Sequence, residues 1–348
     1  MLHRCVPNAV KLLSRGVGTA FAMSGAMPSQ TYQHRVAQLS RMSVSKHVDA
    51  YADIDWDNPA FRIEREDPRW ALSPDDTLGA TDWYRSQPSA TQARLGLHLT
   101  INQLKLGVAF ESVLCRGLLE FASTLPNGSP EFRYAYHEVI EEGQHSLMFQ
   151  EFINRSGLDA RGLTGLDLWS SRRVPTFGRK FPELFFLFVL GGETPIDCVQ
   201  REALASGREM HPLLERIMRI HVTEEARHIS FAHSFVRERV PLLGAFRMAT
   251  LRVRAPILFK AMAAQMMRPP RDLIDAYRIP HEVVREAYLH NPTHRRLLVE
   301  RLAPVRRLCT DVDIATPRFI RFWKWLGIWP DEMPLQPQPQ GDHNVRSL

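Results

Sequence analysis

At 348 residues, with 44% apolar and 24% charged side chains, the chain has an ordinary globular balance and enough length to bury a sizeable core. A net charge of +6 is mild, and no helix gathers its Lys and Arg on one face, which argues against a nucleic-acid-binding protein. No apolar run reaches the ~18 residues needed to span a bilayer, and the scattered Cys5, Cys115, Cys198 and Cys309 form no C-x-x-C pair, which argues against a zinc module or an iron–sulfur site.

Residues 1–30 carry Arg4, Lys11 and Arg15 before a weak apolar patch that imitates a poor signal or transit peptide. We read them as a flexible extension outside the fold, or as an over-long gene start with Met23, Met27 or Met42 as the true beginning, and place the protein in the cytoplasm. Well-spaced cysteines then serve as small buried hydrophobes in a reducing compartment. The globular domain spans residues 31–328. From Thr31 to His47 the chain is polar, basic and amphipathic. The segment YADIDWDNPAFRIEREDPRW that follows reads as a loop-like wrap anchored by Trp56, Phe61 and Trp70.

Strand signals are scarce, and helical periodicity dominates from residue 89 onward. The first long helix, about 89–123, stops at the LPNGSP turn. In it Glu111 lies in a stripe of Leu104, Val108, Cys115 and Leu118, whereas Glu120 sits beside Arg116 and Gly117 and reads as a surface residue. The second helix, about 130–156, puts Glu142 and His145 on one face with Val139, Phe149 and Phe152, and Gly157 caps it. A charged, Gly-containing loop runs to residue 179.

The third helix, about 181–207, places Glu193 on the line of Phe186, Val189 and Leu190. Gly192 and Pro195 flank it and predict a kink or π-bulge in a continuous helix. The fourth, about 211–239, aligns His221, Glu225 and His228 at i, i+4 and i+7, among Leu214, Ile217, Met218, Phe231 and Phe235. Beyond it come a helix at 243–268 with a Met-rich core face, shorter helices at about 281–290, 294–307 and 315–326, and a Pro/Gln-rich tail, residues 329–348, that reads as disordered.

Four helices thus each place a carboxylate among apolar neighbours, which an apolar interior does not accept without a strong partner. Two of the four, Glu142 and Glu225, are followed three residues later by His145 and His228. One Glu from each of two helices, with Glu-x-x-His from each of the other two, is the ferritin-like two-metal pattern, so the fold class expected is all-α: a four-helix bundle with additional C-terminal helices. Glu-x-x-His alone is a weak signal, with about one expected by chance in such a chain. The strength lies in two copies in helical, apolar context beside two further inward carboxylates. His221 adds a seventh candidate ligand, which enriches one metal in nitrogen. Asp197 and Glu138 are candidates to accept the free N–H of a ligand histidine. Glu141 and Glu224, each about 100° around the helix from a ligand, are left off the site.

The stretches FESVLCRGLLE (110–120), RYAYHEVIEEGQHSLMF (133–149), GGETPID (191–197) and HVTEEARHISFAH (221–233) resemble the p-aminobenzoate N-oxygenase family of non-haem diiron enzymes. The resemblance implies metal ligands at Glu111, Glu142, His145, Glu193, His221, Glu225 and His228. It implies two iron ions, with manganese open as an alternative, O₂ as co-substrate, and oxygenation of a small amine, an aryl amine in characterised relatives. It also implies an external electron donor of the ferredoxin/reductase type, and it leaves a homodimer open. Two other classes share parts of the pattern. A ferritin-like iron-storage protein is typically a single short bundle, whereas this chain continues for about 100 residues after the fourth helix. A desaturase-like or radical-subunit oxidase shares both Glu-x-x-His motifs, but the His221 position argues against it.

Overall fold

The computed structural model of the protein describes residues 28–330. The N-terminal 27 residues, with Cys5 and the alternative starts Met23 and Met27, lie outside the described residues, as does the tail from residue 331. The amphipathic stretch at the N-terminus is a helix, α1 (Gln30–Ser45), opened by Ser29, whose hydroxyl accepts from the Tyr32 N–H at 3.3 Å. It lies against two of the bundle helices and buries Tyr32, Val36 and Leu39 there. The wrap that follows is irregular, as expected, and Trp56 and Trp70 are both buried in it. A single-turn helix, α2 (Asp82–Arg85), leads into the bundle.

The bundle consists of two hairpins. Helices α3 (Ser89–Ala122) and α4 (Pro130–Ser156) pack along their length across a turn in which Gly128 takes a φ of 82°, and α4 ends at Gly157 with a φ of 61°. The segment expected to be a loop after Gly157 carries two short helices, α5 (Gly165–Ser171) and α6 (Thr176–Lys180). Helix α6 docks on α3 so closely that a Cβ on Gly178 would lie 2.0 Å from the Gly117 carbonyl oxygen. At five to seven residues these helices are too short for a hydrophobic period to announce them. The second hairpin is α7 (Pro182–Ala205) with α8 (Pro212–Arg239). The α-helical path of α7 continues through Pro195 without a break, so the continuous reading holds and no π-bulge forms. Pro195 removes one N–H from the ladder, the bond that would run to the Gly191 carbonyl.

The C-terminal third adds α9 (Ala245–Met266), α10 (Arg271–Ala276), α11 (His281–Tyr288), α12 (Pro292–Arg301), α13 (Ala303–Asp311) and α14 (Pro317–Trp325). The single helix expected at 294–307 is two, because Pro304 cannot donate into a continuing ladder and instead starts α13. Met262 is buried, and Met248 and Met267 pack against the core, so the methionine face is core filler. The core itself runs on to Trp329, one residue into the stretch read as tail.

Two apolar clusters run along the bundle. One holds Phe121, Phe186, Phe231 and Phe235 and takes in the C-terminal helices; the other holds Leu104, Phe149, Phe152 and Ile217 and takes in the aromatic wrap. Each buried Phe contributes about 1.5–3 kcal/mol of transfer free energy. The residues with chemistry lie between the two clusters on every bundle helix, so the same packing that stabilises the fold shuts water away from them. No strand occurs among the described residues, and none of their helices is long and apolar enough to cross a membrane.

Candidate metal centre

All seven candidate ligands come together in the bundle interior. Glu111 from α3, Glu142 and His145 from α4, Glu193 from α7, and His221, Glu225 and His228 from α8 are each 2% exposed or less. Donor atoms of Glu111, His145, His221 and Glu225 all lie within 4.8 Å of one another, as do those of Glu111, Glu142 and Glu193. Glu120, by contrast, pairs with Arg179 at 2.9 Å toward the surface.

The imidazole orientations carry the chemical information. His228 Nε2 lies 2.7 Å from Glu141 Oε2, and His145 Nε2 lies 2.9 Å from Glu224 Oε2. A carboxylate only accepts, so both Nε2 atoms bear the hydrogen and donate. Each Nδ1 then points between the same two carboxylates. His228 Nδ1 is 3.1 Å from Glu142 Oε1 and 3.2 Å from Glu225 Oε1; His145 Nδ1 is 3.2 Å from Glu142 Oε2 and 3.4 Å from Glu225 Oε1. A neutral imidazole presents a lone pair there, facing oxygen lone pairs, and only a cation or a proton between them makes that favourable. Two atoms each held ~2.1 Å from one ion at octahedral or tetrahedral angles sit roughly 3.0–3.4 Å apart, which is the spacing found. His221 Nε2 lies farther out, 3.6 Å from Glu111 Oε1 and 3.7 Å from Glu225 Oε1.

The oxygens give the same answer. Glu111 Oε2, Glu142 Oε1, Glu225 Oε2 and both oxygens of Glu193 have no hydrogen-bond partner among the described residues. Orphaned buried carboxylates cost several kcal/mol each unless a cation neutralises them. Four carboxylates balance two divalent ions, and the mixed oxygen and nitrogen donor set suits iron or manganese.

Taken by themselves, the side chains divide protons in a way that mirrors this demand. Burial, reinforced by Glu142, pushes Glu111 well above the ordinary carboxylate range; burial, reinforced by Glu225, does the same to Glu193. Burial opposes a charge on His145, but its contacts with Glu142 and Glu224 overcome that and raise it to about 9. For His228 burial is likewise outweighed, by Glu225 and Glu142, and its pKa is raised well above the usual value. His221 goes the other way: burial lowers it to about 4. Positive charge is thus favoured where the two Nδ1 atoms meet Glu142 and Glu225.

The expected outer partners need correction. Asp197 pairs with Arg201 at 2.8 Å and touches no candidate ligand histidine. Glu138 is fully buried, but neither of its oxygens accepts a hydrogen bond from an imidazole. Glu141 and Glu224, set aside in the sequence because they point off the ligand stripe, take that role. The 100° offset aims each of them at the facing helix, where the other motif's histidine waits. Arg227 completes the arrangement: 2% exposed, its Nη2 lies 2.8 Å from Glu141 and 3.3 Å from Glu224. The signal for these residues was present in the doubled glutamates of EEGQH and EEARH, at the same register in both motifs.

A closed helical bundle with a buried carboxylate–histidine cluster of this kind defines a ferritin-like protein of the two-metal class. The chain belongs to the family described as "P-aminobenzoate N-oxygenase AurF", which it matches over residues 29–313. It is also similar to "Uncharacterized protein Rv0885" of Mycobacterium tuberculosis (strain ATCC 25618 / H37Rv) and "Uncharacterized protein Mb0909" of Mycobacterium bovis (strain ATCC BAA-935 / AF2122/97). Each is 38% identical over 312 residues, covering 90% of this chain and 92% of the relative.

Proposed function

We propose that the protein is an O₂-dependent non-haem diiron oxygenase that oxygenates the nitrogen of a small amine, with aryl amines as the leading class. Glu111, Glu142, His145, Glu193, His221, Glu225 and His228 hold the two irons in this reading. The observation that carries it is the pair of Nδ1 atoms aimed at partnerless carboxylates, each imidazole fixed from behind by a glutamate of the opposite helix.

A pair of irons held by these residues would supply electrons to O₂ in one encounter. The chain's own residues do the rest. Glu141 and Glu224 hold the imidazoles in one tautomer and one orientation, which also raises their basicity. Arg227 bridges those two glutamates and fixes their carboxylates in place. The phenylalanine-rich clusters on either side exclude water, so that oxidising equivalents reach substrate rather than solvent. In the overall reaction one oxygen atom enters an N–H bond and the other leaves as water. Two protons and two electrons balance it, drawn from an external donor of the ferredoxin/reductase type.

The C-terminal helices favour an enzyme over an iron store. They close on α7 just before Glu193, where a Cβ on Gly191 would lie 2.7 Å from Phe259. They also add apolar walls that storage has no use for. The free thiols at Cys115, Cys198 and Cys309 suit a reducing cytoplasm, and a homodimer is the simplest assembly. The test is single-turnover reaction of iron(II)-loaded protein with p-aminobenzoate and isotopically labelled O₂. Labelled hydroxylamine, nitroso or nitro product supports the reading. Continued iron oxidation to mineral, with the amine untouched, overturns it in favour of storage.

A further inference from the structure

The two Glu-x-x-His helices are more alike than seven ligands require. Helix α4 carries Glu138, Glu141, Glu142 and His145; helix α8 carries His221, Glu224, Glu225 and His228, at the same spacing. The structure follows this repeat. His145 donates to Glu224 and His228 donates to Glu141, and each Nδ1 sits between Glu142 and Glu225. Exchanging the two helices therefore exchanges Glu225 with Glu142, His145 with His228, and His221 with Glu138.

Glu138 behaves as that exchange requires. His221 shares a 4.8 Å neighbourhood with Glu111, His145 and Glu225; Glu138 shares one with Glu142 and His228. Its side chain is 0% exposed, and neither oxygen has a hydrogen-bond partner among the described residues. Tyr134, one turn earlier and also fully buried, leaves its own hydroxyl unpartnered and does not satisfy the carboxylate. A buried acid with two idle oxygens, aimed at a candidate ligand pair, lacks a structural partner.

We propose that Glu138 is an eighth protein ligand, a carboxylate arm for the ion beside His228, as His221 is an imidazole arm for the ion beside His145. The inference rests on the diiron reading and deepens it. The two subsites then differ by design: one is enriched in nitrogen by His221, the other in oxygen by Glu138. Harder, oxygen-rich surroundings relax the preference for iron over manganese at the second subsite.

The test uses metal binding and not turnover. Wild-type protein, Glu138→Gln and His221→Ala are titrated anaerobically with iron(II) against a competing chelator, and the iron-57 forms are examined by Mössbauer spectroscopy. Glu138→Gln is expected to weaken one of the two ions by at least about 10-fold and to shift one quadrupole doublet. His221→Ala is expected to affect the other ion and the other doublet. Glu138→Asp, which keeps the charge and shortens the arm, is expected to give the same selective loss and covers failure of the glutamine variant to fold. Two irons bound at wild-type affinity with both doublets unchanged in Glu138→Gln and Glu138→Asp would leave Glu138 a buried acid and overturn the inference alone. Fewer than two irons in the wild-type protein would overturn the diiron reading, and this inference with it.

Discussion

Removing the charge behind one imidazole should weaken one metal ion and spare the other. Glu141 accepts from His228 Nε2 at 2.7 Å, and Glu224 accepts from His145 Nε2 at 2.9 Å. A hydrogen bond to a charged acceptor contributes about 1.5–3 kcal/mol. Loss of such an outer partner typically costs 10–100-fold in metal affinity, or about 1.4–2.8 kcal/mol, so the two estimates agree. In Glu141→Gln the amide can still accept the hydrogen bond but carries no charge. The expected result is a fall of roughly 10–100-fold for the ion beside His228, with the ion beside His145 little changed. Glu224→Gln should show the reverse. The double variant should not be the sum of the two, because Arg227 bridges both carboxylates. With both charges gone, a buried guanidinium keeps only neutral acceptors, the Lys46 carbonyl at 3.4 Å among them, and about 3–5 kcal/mol of folding stability is lost. Chelator-competition titration of the single variants and thermal unfolding of the double variant measure these effects. Single variants that bind both ions at wild-type affinity would refute the assignment of Glu141 and Glu224 as the groups that fix the imidazoles.

Three further outcomes are expected. Metal-free protein should lose stability as pH rises from 6.5 to about 9, because His145 is raised to about 9 when folded and its protonated form contributes fully only below the unfolded value. Metal-loaded protein should lack that transition, since metal takes the proton's place; denaturant titrations across the pH range check both, and a flat profile without metal contradicts the assignment. Gly192→Ala should cost about 1–3 kcal/mol, because the new methyl would meet the Phe110 ring at 2.1 Å; an unchanged Tm would show that Phe110 yields freely. Glu111→Ala should lose iron, whereas Glu120→Ala should keep its full complement and lose at most about 1 kcal/mol from the exposed pair with Arg179. Metal analysis of the two variants, with matched loss or matched retention as the contrary result, decides this.

The bundle and its candidate ligands were legible because long amphipathic helices repeat every 3.6 residues, so a Glu or His inside an apolar stripe stands out. His221, Glu225 and His228 could be placed on one line without any structure, and Gly157 announced its own helix end. What the sequence could not supply were relations between helices. Glu141 and Glu224 looked like residues turned away from the site, because a single helix gives no information about what its other faces meet. Asp197 looked like a partner for the site by spacing, yet Arg201 on its own helix claims it. The short helices after Gly157 were hidden for a related reason: they are too brief to show a period of their own, and α6 owes its place to docking on α3.

Anomalous X-ray scattering from crystals grown with iron(II) under anaerobic conditions tests the central claim most directly. Two peaks per chain are expected, both among Glu111, Glu142, His145, Glu193, His221, Glu225 and His228, with both Nδ1 atoms facing them. No peak in that cluster, or peaks only at surface carboxylates, would contradict the account.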